Sequence, residues 1–196
     1  AFWGQGMAGS NDPKRKFRFY VQIETLGGGS AGVWFAKSIA KPTMNVSADT
    51  KHKFLGHEFS FPGSVTWDDI ECVLVDPGDE DQNADAATKL LSILQRSGYH
   101  FPETANDGTI LQTISKGKAV GALANVHIYQ LNGDGEVIEK WSLHNPFINK
   151  VSFGDLAYED DGLVEVTVGF TYDWAEFRTS SSGNALYFKD AIAPSS

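Results

Sequence analysis

Eleven consecutive residues, Val164 to Trp174, alternate without a break between two chemically opposite faces. Val164, Val166, Val168, Phe170, Tyr172 and Trp174 fall on one side, and Glu165, Thr167, Gly169, Thr171 and Asp173 on the other. Strict period-two alternation predicts one half-buried β-strand, about 36 Å long at ~3.3 Å per residue. That is about twice the usual strand and overreaches a small core. It predicts a sheet continued beyond its own domain, as in a barrel or ring built from several copies, because an open edge exposes a row of unpaired backbone groups.

A chain of 196 residues has length for one real core and is short for two. Thirteen phenylalanines and 20 glycines suit a β-rich body that buries rings in strands and needs positive φ in turns. The formal charge of −9 opposes adhesive binding to DNA or anionic membrane. Cys72 stands alone, which excludes an internal disulfide and a multi-cysteine metal site, and its strand pattern makes it a small hydrophobe. No apolar run has the ~18 residues of a membrane helix, so no membrane insertion is expected. With no signal-peptide pattern either, assembly in cytoplasm is expected, and the Asn45-Val46-Ser47 sequon carries no meaning there.

Residues 1–16 scatter glycines among polar residues and end in Lys14-Arg15-Lys16, which predicts a flexible arm that either docks Phe2 and Trp3 on a neighbour or is simply disordered. A β domain is expected over 17–178 and a tail over 179–196. Phe17, Phe19, Val21 and Ile23 form the inner face of a first strand, Gly27-Gly28-Gly29-Ser30 turns, and Val33 to Lys37 returns as a hairpin. From Pro42 to about His57 the chain is polar and reads as a long irregular excursion, carrying Lys51, Lys53, Phe54 and Leu55, for which a contact role is expected. Ile70, Cys72 and Leu74 mark a covered strand. Ala87, Leu90, Leu91 and Leu94 recur at helical spacing, predicting a helix over about 83–97 with Gly98 at its C-terminal cap. Ala119 to Leu131 and Val137 to Leu143, joined by Asn132-Gly133-Asp134-Gly135, predict a second hairpin, and Phe147 to Phe153 a further strand. The expected total is seven or so strands and one helix. Core positions are Phe17, Phe19, Val21, Ile23, Leu90, Leu94, Val166, Val168 and Phe170.

No motif carries catalysis. Gly28-Gly29-Ser30-Ala31-Gly32 has the letters of a nucleophile elbow, but a strand follows where a helix is required. Asp79, Asp81, Asn83 and Asp85 imitate a calcium loop, yet Ala84 and Leu90 occupy the positions of its glycine and bidentate glutamate. The five histidines lack ligand spacing, so no metal and no cofactor is expected. His57-Glu58 and Asp68-Asp69 are ordinary surface or turn residues on this reading.

Taken in order, these segments resemble the tail tube proteins of contractile-tailed bacteriophages of the T4-like kind. The resemblance rests on Phe17-x-Phe19-x-Val21-x-Ile23, on Phe35-Ala36-Lys37 leading to Pro42, and on Thr66-Trp67-Asp68-Asp69 entering a strand. It continues through the acidic stretch before the helix and the Val164–Trp174 strand, spanning about 17–177. The glycine-rich arm and the tail after Phe177 depart from that pattern and leave open a tube initiator at the baseplate.

The resemblance implies a mainly β, antiparallel sandwich or barrel-like subunit with one flanking α-helix. Six copies would form a ring with a continuous inner β-barrel, and the rings would stack as a virion tail tube assembled in host cytoplasm. Implied partners are further copies of the chain, the tail sheath protein, and the baseplate and tail-terminator proteins, with double-stranded DNA passing through without tight binding. About 24 strands at ~4.8 Å and ~40° tilt give a backbone diameter near ~48 Å, wide enough for a duplex. Six copies at −9 each carry a formal charge of about −54, which repels phosphate. Glu165, Thr167, Thr171 and Asp173 are then the lumen-facing candidates, the opposite orientation toward the sheath being equally open. Phe2, Trp3, Lys51, Lys53, Phe54 and Leu55 are inter-ring contact candidates, and removal of 43–58 is expected to leave a folded protein unable to polymerise. A secretion-system tube protein of the same shape, and a soluble β-sandwich binding module, are the competing readings.

Overall fold

The computed structural model describes residues 13–24, 32–34, 36–76, 86–100, 113–158, 161–179 and 186–187. Its strands are β1 (Phe19–Glu24), β2 (Gly32–Trp34), β3 (Ala36–Ile39), β4 (Met44–Val46), β5 (Thr50–Phe54), β6 (His57–Phe61), β7 (Val65–Trp67) and β8 (Ile70–Val75). Helices α1 (Ala86–Arg96) and α2 (Lys116–Ala122) follow. The chain continues with β9 (Asn125–Leu131), β10 (Val137–His144), β11 (Phe147–Ser152), β12 (Glu165–Thr171), β13 (Trp174–Thr179) and β14 (Leu186–Tyr187). The architecture is mainly antiparallel β, as expected. A six-stranded sheet in the order β14-β13-β10-β9-β1-β2 packs on a four-stranded sheet in the order β11-β12-β8-β3.

The eleven-residue alternation is not one strand. β12 ends at Thr171 in the four-stranded sheet, and β13 starts at Trp174 in the six-stranded one. The neighbouring ribbon turns at the same level, since β10 passes to β11 through Asn145, which has φ 53°, and Pro146. On the two sides of this corner His144 pairs with Trp174 and Phe147 with Thr171. The Asp173 N–H donates to the His144 carbonyl at 3.0 Å, and the Asp173 carboxylate accepts from Asn145 Nδ2 at 2.8 Å and Lys116 Nζ at 2.6 Å. Strands that switch sheets make the corners of such packings. The bend shifts the alternation by one residue: Phe170 and Tyr172 face inward, and so does Ala175, whereas Trp174 is 43% exposed. The same device divides the expected strand 33–37 into β2, paired with β1, and β3, paired with β8.

One core lies between the sheets. Val21, Ile23, Val126, Leu143 and Ala175 meet Ile70, Cys72, Leu74, Val166, Val168 and Phe170, joined by Ala86, Leu90 and Ile93 of α1 and by Ala122 and Leu123. Phe19 is half-buried against this cluster, but Phe17 precedes β1 and is 74% exposed, so it is no core residue. The buried stripe of α1 runs Ala86-Leu90-Ile93, leaving Leu94 half-buried and Leu91 exposed. The apolar run at 90–94 is dense enough to fit two helical faces, and packing chose the one containing Ile93. Asp76, at the end of β8, accepts from the Ala86 N–H at 3.1 Å and so ties helix to strand.

α2 replaces the expected start of a strand at Ala119. Ser115 supplies the cap, its Oγ accepting from the Lys118 N–H at 3.3 Å, and Ala119 and Ala122 are buried. At the other end β13 runs to Thr179 and pairs with β14 through Phe177↔Tyr187, so the boundary expected after 178 falls inside a sheet.

Candidate assembly surfaces

The expected irregular excursion is a long β-hairpin running from Met44 to Trp67. Met44 pairs with Trp67 and Val46 with Val65 near its base, and Thr50 to Phe54 pairs with His57 to Phe61 near its tip. Leu55 (φ 47°) and Gly56 (φ 81°) form the two-residue turn whose positive φ values match the twist of the flanking strands. At the base, Asn45 Nδ2 donates to Asp68 Oδ1 at 2.7 Å and the Asp68 N–H to the Thr43 carbonyl at 3.0 Å. A Cβ at Gly63 would come within 2.5 Å of Ser47 Oγ, so a larger residue there would have to displace that hydroxyl.

Cross-strand register gives this hairpin two unlike faces. His52↔Phe59, Phe54↔His57 and Thr50↔Phe61 place the rings on one face, with the His52 ring edge-on to Phe61 at 5.7 Å. Lys51↔Ser60 and Lys53↔Glu58 form the other, where Lys51 Nζ lies 2.8 Å from Glu58 Oε1. The contact candidates therefore divide: Phe54 sits on the aromatic face, Lys51 and Lys53 on the charged face, and Leu55 at the tip, 83% exposed. Phe59 and Phe61, half exposed beside Phe54, belong to the same surface and were not singled out from the sequence. Their signal was the alternation His57-Phe59-Phe61 beyond a Leu-Gly turn. His57 and Glu58 point to opposite faces, which rules them out as an acid–base pair. Phe2, Trp3, the Gly28–Ala31 motif and the acidic run 79–85 lie outside the described residues.

A second surface is the outward face of the four-stranded sheet. Glu165, Thr167 and Thr171 share it with Glu71, Val73 and Lys150. Gly169 lies among them because a Cβ there would meet Asn149 Oδ1 at 2.3 Å; the Asn149 amide crosses this point to donate to Asp69 Oδ2 and Thr171 Oγ1, both at 2.8 Å. Charge on this face is largely balanced, through Lys37–Glu165 and through Lys150–Glu71 at 2.9 Å. Asp173 is not on it. The sheet switch moves that carboxylate to the corner, where the bond from Lys116, then that from Asn145, holds its pKa below the ordinary value.

The outward face of the six-stranded sheet is aromatic and more deeply packed. Tyr20 stacks on Tyr129 at 4.4 Å with Lys140 above the Tyr129 ring, and His144 stacks on Trp174 at 5.1 Å. Burial alone would raise the Glu176 carboxyl, but Arg178 Nε at 2.6 Å and His144 Nε2 at 3.0 Å outweigh it and lower the pKa. His127 is pushed down to about 4, first by burial and then by Lys140, with Glu24 opposing. Burial likewise lifts the Cys72 thiol to about 12, leaving an unreactive core thiol.

Among the described residues no three His, Cys, Asp or Glu side chains gather as a metal site, and no helix is long and apolar enough to cross a membrane.

No protein-family model and no curated protein matches the chain. Solved structures do match it in fold. A chain of the anti-feeding prophage baseplate is similar with a TM-score of 0.63 and 13% identity, over 87% of this chain and 99% of that one. A chain of that prophage's tube-terminating cap gives 0.60 and 15%, over 89% and 97%. One from the sheath–tube complex of the PVC extracellular contractile injection system gives 0.56 and 14%, over 86% and 93%. The overall fold is thus shared with chains of these baseplate, cap and sheath–tube assemblies.

Proposed function

We propose that this chain is a structural subunit of the inner tube of a contractile-tail particle, stacked as rings of six. The observation that carries this reading is the aromatic face of the 44–67 hairpin. Phe54, Phe59 and Phe61 are each half or more exposed on a two-stranded element that has no second layer among the described residues. Such a hairpin is marginal in water alone and gains stability when its apolar face meets another surface. In a tube that surface belongs to the adjacent ring. A head-to-tail contact of this kind repeats without limit along an axis. The similar folds agree, since their printed titles name a six-fold baseplate, a tube cap and a sheath–tube complex.

Within this reading the sheath lies outside, and the baseplate and terminator proteins hold the ends. The T4-like resemblance extends it to conduction of double-stranded DNA in a virion tail, for which a chain of net charge −9 supplies a weakly repelling wall. A second reading, a subunit confined to one end of the tube, is favoured by the baseplate and cap chains among the similar folds.

The test is electron microscopy of the purified chain and of particles carrying an epitope on it. Tubes of stacked six-fold rings, with label along their whole length, are expected. Label only at one end supports the tube-end reading. A chain that stays monomeric at high concentration and never labels a tail overturns both. The deletion expected from the sequence, 43–58, would remove one hairpin strand and strand its partner. The clean variant replaces 44–67 with a short turn and should give folded rings that do not stack.

A further inference from the structure

We propose that successive rings are joined by a pin and pocket: the tip of the 44–67 hairpin of one copy, led by Leu55, seats in the pocket that Leu156, Tyr158 and Leu163 form at the far end of a copy in the next ring. This rests on the tube reading and names the surface that receives the hairpin.

The two features leave opposite ends of one sheet. The hairpin closes at Met44↔Trp67, with the Trp67 ring 6.1 Å from that of Tyr172, and β8 begins just beyond it at Ile70. β12 runs antiparallel to β8, with Phe170 opposite Ile70 and Glu165 opposite Val75, so the chain enters β12 at the end of the sheet away from the hairpin. β11 reaches that same end, where Ser152 pairs with Thr167. There the Asp76 N–H donates to the Val164 carbonyl at 3.1 Å, and Gly154, with φ 74°, lies so close to β12 that a Cβ would meet the Glu165 carbonyl at 2.6 Å. The six residues of β8 set the two ends about 17 Å apart at ~3.3 Å per residue.

The pocket has a volume of about 440 Å³ and is lined by Leu156, Tyr158, Leu163 and Val164 together with Asp155, among others. Leu156 is 86% exposed, Leu163 74% and Tyr158 fully. Apolar groups of this size gathered in one place are costly unless covered. The pin has matching character. Leu55 stands at the turn beside the exposed Phe54, and every residue of β5 and β6 is exposed, so the tip stands clear of its own body.

Charge selects the pairing. Lys51 and Lys53 flank the tip against one acid, Glu58, whereas Asp155 and Asp161 flank the pocket and residues 153–158 and 161–164 include no Lys or Arg. A net basic tip and a net acidic pocket favour tip into pocket over tip against tip. Unlike surfaces at opposite ends of one chain meet head to tail and repeat as an open stack.

The experiment is a charge swap in the full chain, read by light scattering during assembly and by electron microscopy. Lys53→Glu in one chain, and Asp155→Lys with Asp161→Lys in another, each set like charge against like and should raise the protein concentration needed for tube growth at least about fivefold, with rings and circular dichroism unchanged. A chain carrying all three substitutions restores opposite charge and should regain tube growth. Leu156→Ser with Leu163→Ser, both at exposed positions, should leave the denaturation midpoint in place and raise the same concentration about tenfold or more. If wild type forms tubes and either these variants grow them equally well or the triple variant regains nothing, the pin and pocket is overturned while the tube reading stands. If wild type forms no tube, both fall.

Discussion

The strands of the body and those of the 44–67 hairpin obey the same period of two, and they differ in what lies opposite. In β8, Ile70, Cys72 and Leu74 face the second sheet and are 1% exposed or less. In β5 and β6, Phe54, Phe59 and Phe61 share one face just as regularly and are 50–67% exposed. Alternation records which side chains share a face; a second layer decides whether that face becomes core. The body therefore carries its own stability, and the hairpin carries an apolar face left uncovered among the described residues.

The sharpest contrast comes from removing one ring on each side. Phe170 is fully buried among Ile70, Val168 and the helical layer, so Phe170→Ala should cost about 3–5 kcal/mol, enough to consume much of the stability of a domain this size. Chemical denaturation followed by tryptophan fluorescence reads the loss. A cost below about 1 kcal/mol would mean that the two sheets do not meet in one close-packed core.

Acid should act on the body through His127. Burial first, and then Lys140, hold its folded pKa at about 4, below the ordinary 6.5, with His144 and Arg178 also opposing its charge and Glu24 favouring it. The unfolded chain therefore binds the extra proton between those values. The associated stability is complete above about pH 6.5 and is lost as pH falls toward 4. Between pH 7 and 4.5 the wild type should lose on the order of 2 kcal/mol more than His127→Gln. Parallel pH profiles for the two would show that this ring is not held neutral in the sheet.

How much of this was legible in the sequence follows from the same distinction. Val21, Ile23, Val166, Val168 and Phe170 lay in clear alternation and are core. The corner at Tyr172-Asp173 was hidden because apolar and polar residues continue to alternate through it; only backbone pairing shows that the partner sheet changes and that Trp174 and Asp173 leave their expected faces. The short helix at Lys116–Ala122 was hidden by its two glycines, which lower helix propensity until the Ser115 cap and tertiary packing override it. The hairpin was half legible: His52-x-Phe54 and His57-x-Phe59-x-Phe61 alternate, but lysines between them resemble solvent-exposed loop.

At the corner the expected effect is smaller. Asp173→Ala removes the bonds from Asn145 and Lys116, both at the surface, and should cost about 1 kcal/mol. Asp173→Asn, which keeps an oxygen for Asn145, should recover part of it. If the alanine variant matches wild type in denaturation midpoint, the side chain does not secure the turn between the sheets, and the backbone bond to His144 suffices.

The smallest expected change in stability is the most informative about the hairpin. Phe59→Ser alters a half-exposed ring with no layer above it, so the folded monomer should shift by no more than about 0.5 kcal/mol. The same substitution in Phe170 would be ruinous, although both phenylalanines sit in alternating strands. If the aromatic face is covered only in the stack, Phe59→Ser combined with Phe61→Ser should leave the midpoint of denaturation in place and raise the protein concentration needed for tube growth by tenfold or more. Light scattering during assembly gives that concentration. Loss of monomer stability with assembly unchanged would reverse the comparison, because the hairpin would then be packed against its own subunit and the surface that propagates the tube would lie elsewhere.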